Sequence, residues 1–321
     1  KVLAPIADGH EKSETYPDGV FATLGQAGLL SLPYPEEWGG GAQPYEVYLQ
    51  ALEELAARWA AVAVAVSVHS LACHPLMVFG TDEQKQRWLP EMLGGSTIGA
   101  YSLSEPQAGS DAAALTCTAT AADDGNSYVV NGSKAWITHG GIADFYNLFA
   151  RTGEGSKGIS CFLVPKDTDG LSFGKPEEKM GLHAVPTTAA HYDNAVVPTE
   201  RRIGAQGQGL QIAFSALDSG RLGIAAVAVG IAQAALDDAK RQLELQRAWG
   251  CEQEAVTPAR CAQIEPALAH YAARIAGAIH TPGECAADCL QVCQGLHARL
   301  QARGVRFVLG SRRAGLGVVF A

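Results

Sequence analysis

The sequence predicts an α+β protein of several domains, because long helical patterns on both sides enclose a strand-rich middle. A chain of 321 residues suffices for roughly two or three domains, each with its own core. Alanine-rich apolar runs dominate the first part, short β-branched and aromatic runs dominate the middle, and one long apolar run follows. We expect an N-terminal helical domain (1–96), a middle antiparallel β-barrel or sandwich (97–204), the start of an incomplete C-terminal helical domain (205–247) and a divergent tail of uncertain fold (248–321).

The first region has the pattern of packed helices. Val20, Phe21 and Leu24 predict a short amphipathic helix before the turn-forming PYPEEWGGG. Thr81 is the expected N-cap of a later helix, with Gln84 at the capping-box position. Between them, residues 45–79 are apolar on most faces, as in buried helices.

The middle region is rich in strand signals. The segment 128-YVVNGSKAWIT-138 predicts a hairpin that reverses at Asn131-Gly132. Further strands are predicted at 145–151, 159–165 and 189–197. Because no helix separates them, an antiparallel sheet is expected.

The helical pattern that returns at 209–244 is apolar on nearly every side. Such a helix must be buried in a bundle or at a subunit interface. We therefore expect a homo-oligomer.

Composition excludes several function classes. A net charge of −9 argues against nucleic-acid binding, which needs a basic face. The longest apolar run, 60–72, is short and is interrupted by Ser and His, so no membrane span is expected. The eight cysteines form no secreted framework and the start lacks an apolar leader, which favours the cytoplasm.

One turn-rich segment, 101-YSLSEPQAGSD-111, stands out. Pro106 and Gly109 are expected to fix a turn whose backbone N–H groups point into a cleft. With the hydroxyls of Ser104 and Ser110, such a turn suits an anionic or carbonyl-rich ligand. The alternative is an ordinary surface turn.

Several separated segments resemble the acyl-CoA dehydrogenase family in the family's own order. They are LGQAGLLSLPYPEEWGG, GTDEQKQRWLPEMLGG, YSLSEPQAGSD, NGSKAWITHGG, KMGLHAVPTTAAHYDNAVVP and LDSGRLGIAAVAVG. The resemblance covers about residues 2–240, roughly three quarters of the chain. It implies an FAD flavoprotein that removes the α and β hydrogens of an acyl-CoA thioester and passes electrons to an electron-transfer flavoprotein.

The resemblance also implies site residues. Trp136 would lie on the isoalloxazine ring, Thr138 near its N5 atom, and Ser110 near the acyl-CoA as well. The full set of implied flavin contacts is Tyr101, Leu103, Ser104, Gly109, Ser110, Trp136, Ile137 and Thr138.

Asp218 and Arg221 form a second candidate pair. Their i, i+3 spacing places them on one helix face, where an ordinary ion pair is the alternative reading. By resemblance the two residues bind the acyl-CoA.

The family's catalytic Glu has no counterpart in these residues, so the catalytic residue is unknown. No G-G-x-G-Y motif occurs late in the chain, and the other family position, immediately before Arg221, holds Gly220. The family's R-x-x-F-G is represented only by RAWG at 247–250. Little or no turnover is therefore expected, and a non-catalytic FAD- and acyl-CoA-binding remnant or a hybrid gene product is the alternative.

The tail has a different resemblance. Residues 262–310, through IEPALA, GAIHTPGE and GVRF, resemble an internal piece of a DAO-type D-amino-acid dehydrogenase. That family binds FAD through a Gly-rich fingerprint that this chain lacks, so amino-acid oxidation is a weaker alternative. The spacing of Cys285, Cys289 and Cys293 does not match a structural zinc site, and no metal is expected.

Overall fold

The computed structural model describes residues 3–123, 125–274, 278–282 and 289–304. The chain divides into two compact units, Lys1–Asp237 and Asp238–Ala321. Each is described by itself.

Helices form the first part of the larger unit, as predicted. The expected capping box at Thr81 is confirmed, because the Thr81 hydroxyl accepts from the Gln84 N–H and the Gln84 side chain accepts from the Thr81 N–H. This arrangement satisfies two N–H groups that a helix start otherwise leaves without partners. The helices are α1 (Ala4–Ser13), α2 (Val20–Gln26), α3 (Tyr45–Ala56), α4 (Ala60–Phe79) and α5 (Asp82–Leu93).

A mixed eight-stranded sheet follows. Its strand order is β6-β7-β3-β2-β4-β5-β8, with β1 also paired to β4. Most neighbouring strands are antiparallel, as expected, but β1 and β2 both run parallel to β4, so the sheet is mixed. The strands are β1 (Gly99–Ser102), β2 (Thr118–Ala121), β3 (Ser127–Thr138), β4 (Phe145–Arg151), β5 (Ile159–Pro165), β6 (Leu171–Phe173), β7 (Thr187–Pro198) and β8 (Arg202–Ile203).

The hairpin predicted at Asn131-Gly132 is also wrong. These residues lie inside the continuous strand β3, where the pairing with β7 shifts between Val130 and Gly132. Gly132 has φ +146°, and a Cβ there would lie 2.7 Å from the Cys117 Cα. The extra residue of this shift lies in β7, because two steps in β3, from Val130 to Gly132, face three steps in β7, from Ala195 to Tyr192. Gly132 supplies the unusual backbone angle and the close approach to Cys117.

Two buried histidines fix the start of β1. Gly99 donates its N–H to His69 Nδ1 at 3.0 Å, and the Gly99 carbonyl accepts from His139 Nδ1 at 2.9 Å. His69 Nε2 in turn donates to the Met92 carbonyl, which ties α4 to α5. Burial lowers the pKa of both histidines to about 4, so both are neutral at pH 7.

The helix that returns, α6 (Gly209–Ala248), has one buried face within the chain. Ile212, Ala213 and Ala216 are buried. Within the described residues, many apolar side chains of α6 are exposed, so burial of this helix at a subunit interface stays a prediction. They include Phe214, Leu222, Ile224, Val229, Ile231 and Leu236.

Two helices, α4 and α6, are long and apolar enough to cross a membrane by length and composition alone. The expectation that no run reaches that length is therefore wrong. In α4, 61% of the apolar window is buried inside the protein, and its Ser67 and His69 are buried as well. Because His69, Ser70 and His74 of this helix are hydrogen-bonded to other protein groups, α4 has the character of a core helix.

The smaller unit contains a two-stranded antiparallel sheet of β9 (Glu254–Val256) and β10 (Ala278–His280), with helices α7 (Pro258–Ile264) and α8 (Cys289–Ala302). Cys285 lies outside the described residues, and the side chains of Cys289 and Cys293 are not described. Within the described part of the chain, no group of three or more His, Cys, Asp or Glu residues could hold a metal.

Candidate functional site

The turn-rich segment forms a tight turn after β1, as predicted. Glu105 donates its N–H to the Ala108 carbonyl at 3.0 Å, and Ala108 donates to the Glu105 carbonyl at 3.0 Å. Pro106 occupies the corner between them. A Cβ added at Gly109 would have no atom within 4 Å, so the turn borders open space there.

The buried carboxylate of Glu105 stabilises this turn through several hydrogen bonds. Its Oε1 accepts from Lys134 Nζ at 2.8 Å and from the Cys117 N–H at 3.0 Å. Its Oε2 accepts from the N–H and the hydroxyl of Thr116 and from Gln107 Nε2, at 2.6 to 2.8 Å. Burial raises the pKa of Glu105, but the Lys134 charge and these hydrogen bonds outweigh it and lower the pKa to about 2.

Lys134 joins the turn to strand β3. Its Nζ also donates to the Leu103 carbonyl at 3.0 Å, and the next residue, Ala135, donates its N–H to the Ser104 carbonyl at 2.8 Å. The side chains of Lys134 and Glu105 are 0% and 1% exposed. The two predicted flavin-contacting segments therefore lie side by side, fixed by a buried ion pair that the sequence analysis left without a role.

Trp136 lies two residues after Lys134, where the pairing of β3 with β7 is irregular. Pairing with β7 shifts between Lys134 and Ile137, so the strand carries one extra residue there. Trp136 has φ +57°, which is costly for a residue with a side chain, and its side chain is 55% exposed. A strained backbone that turns a large aromatic ring outward is typical of a functional site.

The other predicted contacts divide into two groups. Leu103 and Ile137 are buried in the core, so only their backbone groups can face a ligand. Ser104, Ser110 and Thr138 are partly or fully exposed. In the part of the chain that the structure describes, none of these three hydroxyls makes a hydrogen bond to another protein group, which leaves them available to a ligand.

Tyr101 connects the site to α6. Its hydroxyl donates to the Ala213 carbonyl at 3.1 Å, and its ring packs on Phe149 with ring centroids 5.0 Å apart. The Tyr101 hydroxyl is thus engaged by the protein, and only part of the residue is exposed.

Asp218 and Arg221 lie on the exposed side of α6. Arg221 Nη1 lies 3.2 Å from Asp218 Oδ1, and the Arg221 and Asp218 side chains are 71% and 75% exposed. Within the described residues, each makes its polar side-chain contact with the other. A Cβ added at Gly220, beside them, would lie 3.0 Å from Leu71 Cδ1, so a side chain there would require Leu71 to shift.

These residues fit a flavin. An exposed indole offers a face for a planar ring, and the free hydroxyls with the open space at Gly109 can receive polar groups of the cofactor. Glu105 and Lys134 are not among the site residues expected from the sequence. The signal that could have found them is a Lys and a Glu inside two segments otherwise typical of buried structure.

Three family descriptions match successive parts of the chain. The description "Acyl-CoA dehydrogenase, N-terminal domain" matches residues 1–96, and "Acyl-CoA dehydrogenase, middle domain" matches residues 100–195. The description "FAD dependent oxidoreductase", of the DAO type, matches residues 207–319.

Individual proteins agree with the first two matches. An acyl-CoA dehydrogenase of Bacillus subtilis is 43% identical over 242 residues, which cover 74% of this chain and 63% of that protein. A mitochondrial short-chain specific acyl-CoA dehydrogenase of Rattus norvegicus is 40% identical over 278 residues, which cover 86% of this chain and 67% of that protein. The chain thus spans about two thirds of the length of the curated relatives it matches.

Solved structures agree as well. The butyryl-CoA dehydrogenase of Megasphaera elsdenii has a TM-score of 0.73 at 39% identity, covering 75% of this chain and 64% of that chain. An acyl-CoA dehydrogenase of Bacillus anthracis, described as complexed with FAD, has a TM-score of 0.67 at 31% identity, covering 76% of this chain and 41% of that chain. FAD is the cofactor that these findings support. With its helical first domain, its mixed sheet and these relatives, the chain belongs to the acyl-CoA dehydrogenase family.

Proposed function

We propose that the chain binds FAD between the 103–110 turn and the Trp136 bulge, and that it takes an acyl-CoA thioester there. The observation that carries the proposal is the exposed, strained Trp136 held beside the Leu103–Glu105 backbone by Lys134. Because several relatives are described as short-chain or butyryl-CoA dehydrogenases, a short acyl chain is the proposed substrate class.

Each residue has a distinct proposed role. FAD supplies a hydride acceptor when bound. Trp136 offers its ring face to the isoalloxazine, and the Thr138 hydroxyl donates to it. Ser104 and the backbone at Leu103, Gly109 and Ile137 border the cofactor, with Tyr101 packed behind them.

The thioester side of the proposed site involves Ser110, Asp218 and Arg221. Their exposure leaves both the hydroxyl and the ion pair accessible. A guanidinium beside a cleft suits a CoA phosphate or carbonyl.

Low turnover is proposed for these 321 residues. Removing the acidic α-proton needs a carboxylate within reach, and the position before Arg221 is Gly220. Electron transfer to an electron-transfer flavoprotein is proposed for any turnover that occurs.

The test is an absorbance spectrum of the protein after reconstitution with FAD, followed by anaerobic addition of butyryl-CoA. We expect a bound-flavin spectrum that shifts without bleaching. Octanoyl-CoA is the matched comparison for chain length and should produce a smaller shift. A spectrum identical to free FAD would contradict the proposal, and rapid bleaching would overturn the part that concerns turnover.

A second candidate function rests on the match of residues 207–319 to FAD dependent oxidoreductases. It is a hybrid product in which the tail comes from a D-amino-acid dehydrogenase. The missing Gly-rich fingerprint argues against amino-acid oxidation by this chain. Reduction of a dye by the pure protein with D-alanine would favour this candidate over the first.

The remaining expectations stay proposals. We propose a cytoplasmic homo-oligomer, supported by the exposed apolar side chains of α6. The boundaries 1–96, 97–204, 205–247 and 248–321 remain the proposed domain limits.

A further inference from the structure

The buried ion pair of Glu105 and Lys134 lies behind the proposed flavin site. Its two charged atoms, Glu105 Oε1 and Lys134 Nζ, are 2.8 Å apart, and both side chains are almost wholly inaccessible. A pair this deeply buried costs desolvation energy, so it adds little to stability compared with an apolar pair of the same size. Its presence calls for another explanation, such as the fixing of a particular geometry.

The hydrogen bonds of the pair connect the turn to two neighbouring segments. Lys134 holds the Leu103 carbonyl, and Glu105 holds the backbone N–H groups of Thr116 and Cys117 just before β2. The turn is thereby tied both to β2 and to β3. No other side chain in the described residues joins these three segments by so many hydrogen bonds.

Lys134 is also the last residue of β3 in register before the Trp136 bulge. It pairs with Ala190, and regular pairing resumes only at Ile137 opposite Thr188. Trp136 has little packing of its own to define its direction, because its side chain is largely exposed. The orientation of its ring therefore depends on the backbone that Lys134 anchors.

We propose that Glu105 and Lys134 are positioning residues, which fix the direction of the Trp136 ring relative to the Leu103–Ser104 backbone and so set the width of the flavin site. Neither residue touches the cofactor. This inference rests on the proposed function, but its first readout needs no cofactor.

The first readout is fluorine NMR of protein labelled with 5-fluorotryptophan. The chain has five tryptophans, and Trp136→Phe assigns the Trp136 resonance. We expect Glu105→Gln and Lys134→Met to move that resonance while the other four stay in place.

The second readout is the affinity for FAD, from quenching of flavin fluorescence. We expect both variants to bind FAD about tenfold more weakly or worse, because the support of a binding residue is lost. Glu200→Gln is the matched control, since Glu200 forms an exposed pair with Arg87 at 3.2 Å. Leu24→Ala, a core change in α2, controls for general loss of stability. Both controls should leave the Trp136 resonance in place.

A folded Glu105→Gln protein with an unmoved Trp136 resonance and unchanged FAD affinity would overturn the positioning role. Should that variant not fold, Thr116→Val removes the hydroxyl that donates to Glu105 and accepts from Gln107, and the same two readouts test the positioning role. Absence of FAD binding by the unaltered protein would instead contradict the proposed function, while a moved Trp136 resonance would still support the positioning role.

Discussion

At the scale of single residues, Trp136 shows how local strain and function are linked. Its φ of +57° is unfavourable for a bulky residue such as Trp, by about 1–2 kcal/mol. A site that needs an exposed ring at a fixed angle explains why such a strained backbone is retained. The rest of the fold must then supply the compensating stability.

Trp136→Gly should separate these two effects. Glycine accepts this backbone conformation, so we expect the free energy of unfolding of the apo-protein to stay within about 1 kcal/mol of its original value or to rise. FAD binding should weaken strongly because the ring face is lost. Urea unfolding and an FAD titration test this, and unchanged FAD affinity would contradict the assigned role.

The histidines that bracket Gly99 predict a pH dependence. The pKa of each is lowered to about 4 in the folded state, from about 6.5 in an unfolded chain. The unfolded chain therefore binds more protons between these two values. Stability from the neutral histidines is complete above about pH 6.5 and is lost as the pH falls toward 4.

His139→Asn tests this dependence, since Asn also tolerates the φ of +65° found there. Urea midpoints at pH 7 and pH 5 should differ less in the variant than in the original protein. An equal difference in both would show that His139 does not titrate as described.

At the scale of elements, β3 combines two irregularities in one strand. Gly132 approaches Cys117 too closely for any side chain, and Trp136 creates the bulge at the site. Around the first irregularity, β3 pairs with β2 at Tyr128–Asn131 and with β7 along most of its length. The second irregularity, the bulge at Trp136, directs the Trp136 side chain toward solvent.

Gly132→Ala should destabilise the protein by more than about 1 kcal/mol, because the added methyl group meets the Cys117 backbone. Gly9→Ala in α1 is the matched control. It meets no atom within 4 Å, and we expect it to be neutral or stabilising by up to about 1 kcal/mol. Thermal unfolding of the two variants gives the comparison, and equal midpoints would be inconsistent with the tight approach at Gly132.

Elements with strong local signals could be predicted from the sequence, and those set by distant contacts could not. The capping box at Thr81 and the bounds of β4 and β5 follow from neighbouring residues. The β3 bulge and the parallel pairing of β1 depend on strands far along the chain. The same holds for the Glu105–Lys134 pair, whose partners are 29 residues apart.

At the scale of the whole molecule, α6 raises the question of assembly. Apolar side chains on its outer face are exposed within the chain, among them Val229 at 53% and Leu236 at 45%. Such a surface favours association in water.

The double variant Val229→Glu and Leu236→Glu should reduce the mass of the assembled protein. Charges on an apolar interface are unpaired and desolvated there, so association weakens. Light scattering after size-exclusion chromatography measures the mass. A monomer in the original protein, or an unchanged mass in the variant, would argue against an interface on this face.

The central claim, that FAD lies between the 103–110 turn and the Trp136 bulge, is tested most directly by hydrogen–deuterium exchange with and without FAD. We predict that FAD slows exchange at the backbone amides of residues 103–110 and 136–138. Protection confined to other segments, such as 246–281, would contradict the claim.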